Sequence, residues 1–447
     1  MAYSSRHGNR PFELASKSGH IHIIKDATVQ AFLQKHDIPR ESDDIELNAD
    51  RFYTPDLERE DAVEFLIAVD GGDTTVAVRA KFPSSNLTFF QFGASLIRIE
   101  DLNHLRQLPF IDPAAMAKLK ELQRIKFTLP TKNIGLLKPS GERATLRYSV
   151  RMAVYEFFKD QQYLDTLRWF LFAEYTRGEG RRDRWILASH PEDPDIKNIE
   201  LRPSDLSHRF TFPHPAGDIA LTDVFRLHET VDEELGAGGA VGYLRNLIEH
   251  FIIINTLRGL YERQREALRG VLFIKDGPLG FFGQTANLHA PMRQLLEHLA
   301  QQHDVYLVGV EKSGPFVEHA EEIKAKIPPG QAYLLDNRYI YTFVKPGSPD
   351  TSPAYGRSSY YGGKLIYRST DERTYILTVP TLNSDTVLDP RPQDFLALDT
   401  ILKYVDRLKS DMYDNSLIPI ALANKLISLS DHPSSVLLEK FARRWVG

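Results

Sequence analysis

The 447-residue chain contains no cysteine. Disulfides, thiolate zinc sites, cysteine nucleophiles and iron–sulfur clusters are therefore excluded. Any metal must be held by carboxylates or histidines, and carboxylate ligands favour magnesium or manganese. Long apolar runs are also missing. The most apolar stretch, Phe251-Ile-Ile-Ile254, falls far short of the ~20 residues a membrane span requires. The opening residues, MAYSSRHGNRPFELA, lack the apolar core of an export signal. A cytoplasmic protein without a membrane anchor is the expectation. There is no Gly-x-Ser-x-Gly elbow and no Walker lysine loop, so serine hydrolase and P-loop ATPase chemistries lack support. Nor is there an excess of positive charge: a formal net charge of −5 argues against broad basic coating of a polyanion. It leaves room for a locally positive cleft, because affinity depends on where charges sit.

What is present is patterned. Residues 1–60 read as an N-terminal segment with acidic stretches. Glu64-Phe-Leu-Ile-Ala-Val-Asp70 is a short apolar run ended by Gly71-Gly72, which predicts a buried strand reaching a tight turn. Residues 74–82 and 87–99 are rich in β-branched and aromatic side chains and predict two more strands, joined by Pro83-Ser-Ser-Asn in a meander. From about 101 to 176 the signal is helical, with Val150–Tyr175 free of proline and glycine. Beyond it the chain is proline-rich to about 215. Residues 101–235 therefore read as a large, mainly helical insertion between a first core segment, 61–100, and the remainder of the core, 236–447.

The second segment is better organised. A long helix is predicted over 241–268, a strand at Val271–Ile274, a helix over 287–302 and a buried strand at Val305–Val310. Strand, helix, strand makes a βαβ unit with a right-handed crossover and parallel strands. Further strands are expected at 333–344, 364–368 and 374–380, and helices at about 394–412 and 417–428. A three-strand meander followed by helix and parallel strands matches the order of an α/β, ribonuclease-H-like mixed sheet.

In open α/β sheets, ligands bind beyond the carboxyl ends of parallel strands. Asp70 ends the first strand, Asp276 ends the strand that opens the βαβ unit, and Lys312 follows the next strand. If the first strand lies parallel to Val271–Ile274, all three gather at one edge. Two carboxylates there can hold divalent ions ~3.5–4 Å apart for phosphodiester displacement. A lysine beside them can orient water or steady a phosphate oxygen. Each aspartate precedes a glycine, which is equally a common turn signature. On a helix, Arg245 and Glu249 share a face, so Glu249 is either a third metal ligand or half of an i,i+4 surface pair. Glu156 is a rival for the third carboxylate.

At these residues the chain resembles the NurA nucleases. Ala68-Val-Asp-Gly-Gly72 is similar to their Val-Asp-Gly-Ser strand end, with glycine in place of the small hydroxyl residue. Phe273-Ile-Lys-Asp-Gly-Pro-Leu279 is similar to their second Asp-Gly signature, Leu244-Arg-Asn-Leu-Ile-Glu249 to their Arg–Glu helix, and Lys312 to their lysine after the next strand. The resemblance spans about 60–85 and 220–430. It implies a Mn²⁺- or Mg²⁺-dependent DNA nuclease with Asp70, Glu249 and Asp276 as metal ligands and Lys312 as a catalytic residue. It also implies a homodimer working with a HerA-type ATPase hexamer in DNA end processing or anti-phage defence. Two positions depart from the family. Asn424, the fifth catalytic candidate, stands where a histidine is usual, and it can hydrogen-bond but not act as acid or base. Thr378 stands where a glutamate is usual.

For DNA contact, Tyr355–Arg368 interleaves tyrosines with basic residues, and Tyr360, Tyr361, Arg357 and Lys364 are the candidates to stack on bases and track a backbone. The same stretch reads equally as a glycine-rich hairpin loop. His20 and His22 alternate as on a strand, without an evident third ligand. Two other functions stay open. One is a non-catalytic adaptor of the ATPase. The other is a sugar- or acetate-kinase-like phosphotransferase, since Asp70-Gly-Gly-Asp-Thr-Thr75 resembles the first phosphate loop of those enzymes. Asp276-Gly-Pro is wrong for their second.

Overall fold

The computed structural model describes residues 25–35, 45–79, 82–101, 120–176, 178–345, 347, 350, 352–383, 389–409 and 417–427. His20 and His22 lie outside them. The chain forms two compact units, residues 1–46 and 47–447. Within the first, Ala27–Gln34 is a helix whose N-cap, Asp26, accepts from the Thr28 amide at 2.7 Å.

The second unit is built on a nine-stranded mixed sheet. Its strands are β1 (Phe52–Tyr53), β2 (Phe65–Arg79), β3 (Phe82–Arg98), β4 (Lys120–Lys132), β9 (Val271–Asp276), β10 (Tyr306–Glu311), β11 (Gln331–Leu334), β12 (Gly362–Arg368) and β13 (Thr374–Pro380). Two small hairpins lie between, β5 (Trp185–Ser189) with β6 (Lys197–Leu201), and β7 (Thr211–Phe212) with β8 (Ile219–Ala220). The sheet runs β1-β11-β12-β13-β10-β9-β2-β3-β4. Strands β2, β9 and β10 are mutually parallel, and β3 and β4 fold back antiparallel on one side of β2. In chain order that stretch reads 3-2-1-4-5, the order of a ribonuclease-H-like core. Strands β13, β12, β11 and β1 extend it as an antiparallel flank.

Both faces are covered, as parallel strands require. Side chains alternate along each strand, so successive residues enter two different cores. Ile67, Val69, Phe273 and Leu307 join the larger core, with Phe251, Ile252 and Leu257 of the long helix Gly238–Arg263. Leu66, Ile274, Val308 and Val310 join the second, under the helices Leu398–Arg407 and Ile418–Ile427.

Several sequence expectations change. Residues 64–70 and 74–82 are not two strands but parts of the single strand β2. Gly71 and Gly72 pair with Phe92 and Gln91 across the ladder, so no turn forms at Asp70. Residues 83–86 belong to β3 rather than to a turn. The third strand of the meander is β4, so the 101–235 region supplies a core element and carries strands as well as helices. The predicted helix 150–175 is two helices, Leu146–Asp160 and Tyr163–Leu171, broken at Gln162, whose φ is 58°. The strand expected over 333–344 ends at Leu334. Asp336 accepts from the Tyr339 amide at 2.6 Å and starts a helical turn instead.

Candidate active site

Parallel pairing between β2 and β9 runs from Phe65 opposite Val271 to Val69 opposite Lys275 and stops there. Asp70 is the next residue, so it stands at the carboxyl edge of the parallel segment although its strand continues. On the neighbouring strands Asp276 pairs with Val310, and Lys312 lies two residues farther on. Asp70, Asp276 and Lys312 share the alternation of Leu66, Ile274 and Val310. They therefore emerge on one side of the sheet edge.

All five residues singled out as catalytic, Asp70, Glu249, Asp276, Lys312 and Asn424, line one cleft of about 620 Å³. Asp70 is 5% exposed, its Oδ1 accepts from the Gly71 amide at 2.8 Å, and the carboxyl of Asp276 lies close enough to disfavour its ionisation. Burial, reinforced by Asp276 and Glu249, pushes Asp70 up to about 8, against the opposing pull of Lys312. Such a shift is the electrostatic mark of a carboxylate group short of positive charge. Lys312 donates to Asp276 Oδ2 at 2.8 Å. Asn424 is exposed on the C-terminal helix Ile418–Ile427.

Glu249 is brought in by the long helix. It is 4% exposed and does not pair with Arg245, so the i,i+4 surface pair is absent. Arg245 instead reaches Asp73 of β2 at 2.9 Å. The partner of Glu249 is Lys275, at 2.7 Å. Burial raises the Glu249 pKa, and Lys275 opposes that rise. Glu156 is elsewhere, ion-paired with Lys159 on the surface.

Lys275 and Glu311, charged residues that were not among the sequence candidates, also line the cleft. A lysine directly after the apolar run Val271–Ile274, within the same central strand, was a signal, because a buried ammonium demands an acid nearby. Glu311 is ion-paired with Lys364 and accepts from the Thr378 hydroxyl at 3.5 Å. A carboxylate thus lies beside Thr378, supplied by the adjacent strand β10.

The expected DNA contacts require correction. Tyr360, Tyr361 and Lys364 are 9%, 0% and 4% exposed. Lys364 is enclosed by Glu311, with its ammonium 4.4 Å from the Phe316 ring centre and 4.8 Å from that of Tyr360. The ends of these side chains close the core between β12 and its neighbours, so they are not free to stack on bases. Arg357 alone of the four is exposed.

Oxygen donors make this a place for a hard cation. Among the described residues no group of three or more histidines, aspartates or glutamates is arranged to hold a metal ion. The facing pair Asp70 and Asp276 fits one such ion, while the third acid, Glu249, is engaged by Lys275.

No protein-family model matches the chain, and no curated protein does. Solved structures do match. The NurA nuclease from Sulfolobus solfataricus overlaps 88% of this chain and 86% of its own, at 8% identity and a TM-score of 0.33. A structure of NurA bound to dAMP and manganese overlaps 93% and 91%, at 11% identity and a TM-score of 0.27. A further NurA structure overlaps 87% and 90%, at 11% identity and a TM-score of 0.25.

Proposed function

We propose that the chain is a divalent-metal-dependent deoxyribonuclease, using Mn²⁺ or Mg²⁺ to hydrolyse phosphodiester bonds. One observation carries this reading. Two aspartates on adjacent parallel strands face each other at the carboxyl edge of a ribonuclease-H-ordered sheet, with a lysine bonded to one of them. Asp70 and Asp276 would hold the divalent ion, which would supply Lewis-acid stabilisation of charge on a phosphoryl oxygen. The chain's own residues do the rest. Lys312 holds Asp276 in place and offers its ammonium to a phosphate oxygen at the same opening. Arg245, ion-paired with Asp73, sets guanidinium hydrogen-bond donors at the rim without adding net charge. Asn424 has an amide able to donate hydrogen bonds but takes no proton, so activating water falls to another group.

DNA as substrate, a homodimer and a HerA-type hexameric partner are part of the same proposal and rest on the sequence resemblance. No helix among the described residues is long and apolar enough to cross a membrane.

The test is degradation of end-labelled linear DNA with Mn²⁺, comparing wild type with Asp70→Asn, with and without a HerA-type ATPase. Metal-dependent cleavage that disappears in Asp70→Asn is expected. Folded wild-type protein that cleaves nothing, even with the partner present, overturns the reading in favour of a non-catalytic adaptor.

A further inference from the structure

Lys275 lies on β9, a central strand paired on both sides, opposite Gly309 of β10 and Val69 of β2. It is 2% exposed. Its ammonium donates to Glu249 Oε2 at 2.7 Å and to the Asp276 carbonyl at 2.8 Å. We infer that this ammonium is a built-in cation that takes the Glu249 side of the cleft, so that the chain binds a single divalent ion, between Asp70 and Asp276, rather than a pair. The inference rests on the nuclease proposal and specifies its metal content.

Three observations support it. First, Glu249 is already engaged by a cation: its Oε2 is held by the Lys275 ammonium at 2.7 Å. Second, the Lys275 ammonium is held on two sides, by Glu249 and by the Asp276 carbonyl. The lysine stem is enclosed within the sheet, and Gly277, at φ 87°, is the turn over its ammonium, with its Cβ direction 3.6 Å from Nζ. Third, the charges balance with one ion. Asp70, Glu249 and Asp276 carry three negative charges when ionised, and Lys275 and Lys312 carry two positive ones. A lone divalent ion with a bound phosphodiester brings the group to neutrality. A second ion would leave two positive charges uncompensated in a partly buried cleft.

Lys275 is thus a positioning residue. It engages Glu249 through Oε2 and bonds the Asp276 carbonyl, fixing the backbone from which the Asp276 carboxylate projects. Glu311 adds no free negative charge, being neutralised by Lys364.

The test is Mn²⁺ binding to the full chain, counted by electron paramagnetic resonance of free Mn²⁺ and by calorimetry, for wild type, Asp70→Asn and Glu249→Gln. The expected result is one Mn²⁺ per chain, weakened at least tenfold in Asp70→Asn and retained with the same stoichiometry in Glu249→Gln. Two Mn²⁺ per wild-type chain overturn the inference while leaving the nuclease reading intact, and wild type alone suffices to read that outcome if Glu249→Gln does not fold. Loss of the ion in folded Glu249→Gln also overturns it. No Mn²⁺ bound by wild type at millimolar concentration overturns both the inference and the metal-dependent reading beneath it.

Discussion

Replacing Gly71 by alanine tests the packing of the site directly. An added Cβ would meet Phe92 Cδ1 at 2.6 Å, Phe92 Cε1 at 2.8 Å and Glu249 Oε1 at 2.9 Å. All three are closer than van der Waals contact allows. Phe92 is fully buried and stacked on Phe90 with ring centres 5.9 Å apart, so it has little room to retreat. Glu249 is anchored by Lys275. Overpacking of this kind costs about 1–3 kcal/mol, and the strain lands on the groups that flank Asp70. Gly259 supplies an internal control. It lies within the long helix, and a Cβ there meets nothing within 4 Å. Alanine at 259 therefore stabilises by roughly 0.5–1 kcal/mol through helix propensity. Urea titration followed by circular dichroism reads both, and the DNA cleavage assay is run beside it. The expectation is opposite signs: Gly71→Ala less stable with impaired cleavage, Gly259→Ala more stable with unchanged cleavage. A Gly71→Ala protein as stable and as active as wild type would refute the close approach of Glu249 to the strand.

Other perturbations probe features away from the metal cleft. Arg151, 6% exposed, donates from Nε to Asp223 at 2.9 Å and from Nη2 to the same carboxylate at 2.7 Å. Asp223→Ala leaves that guanidinium with only Glu192 and a carbonyl, and should cost about 3–5 kcal/mol in urea unfolding. An unchanged midpoint would count against it. His228 is buried and its pKa is pushed down to about 4, chiefly by desolvation. The unfolded chain therefore binds the extra proton between pH ~6.5 and about 4. Stability from this group is full above 6.5 and falls as the pH drops through that window, by up to about 3 kcal/mol. His228→Gln should flatten that part of the stability–pH curve, and an unaltered slope would exclude the assignment. The Tyr361 hydroxyl is buried without a hydrogen-bond partner among the described residues. Tyr361→Phe should stabilise by about 1 kcal/mol and leave DNA affinity unchanged in a fluorescence-anisotropy titration. A several-fold loss of affinity would restore the tyrosine to a nucleic-acid surface.

The site was legible because its residues obey a one-dimensional rule. Asp70 and Asp276 each follow a buried apolar run, and Lys312 lies just beyond another, so knowing that the strands are parallel brings the three together. The strand count was less legible. Gly71-Gly72 has the composition of a turn, yet its pairing with Phe92 and Gln91 holds the chain extended, and local propensity gives way to a long ladder. The tyrosine-rich segment misled for a related reason. Glycine, tyrosine and lysine in alternation suit an exposed binding loop, but Lys364 finds a partly buried acid, Glu311, on a strand more than fifty residues earlier.

What the sequence determined by itself was the chemistry available: no thiols, carboxylates and lysines at strand ends, and apolar periodicities sufficient for an α/β fold. What only the tertiary structure decided was pairing. Glu249 bonds to Lys275 rather than Arg245, Arg245 bonds to Asp73, and Lys364 is closed into the core. Periodicity fixes the side of an element on which a charge emerges. Which opposite charge it meets depends on strands and helices far apart in sequence, and within the interior an unpaired ion is too costly to leave that choice open.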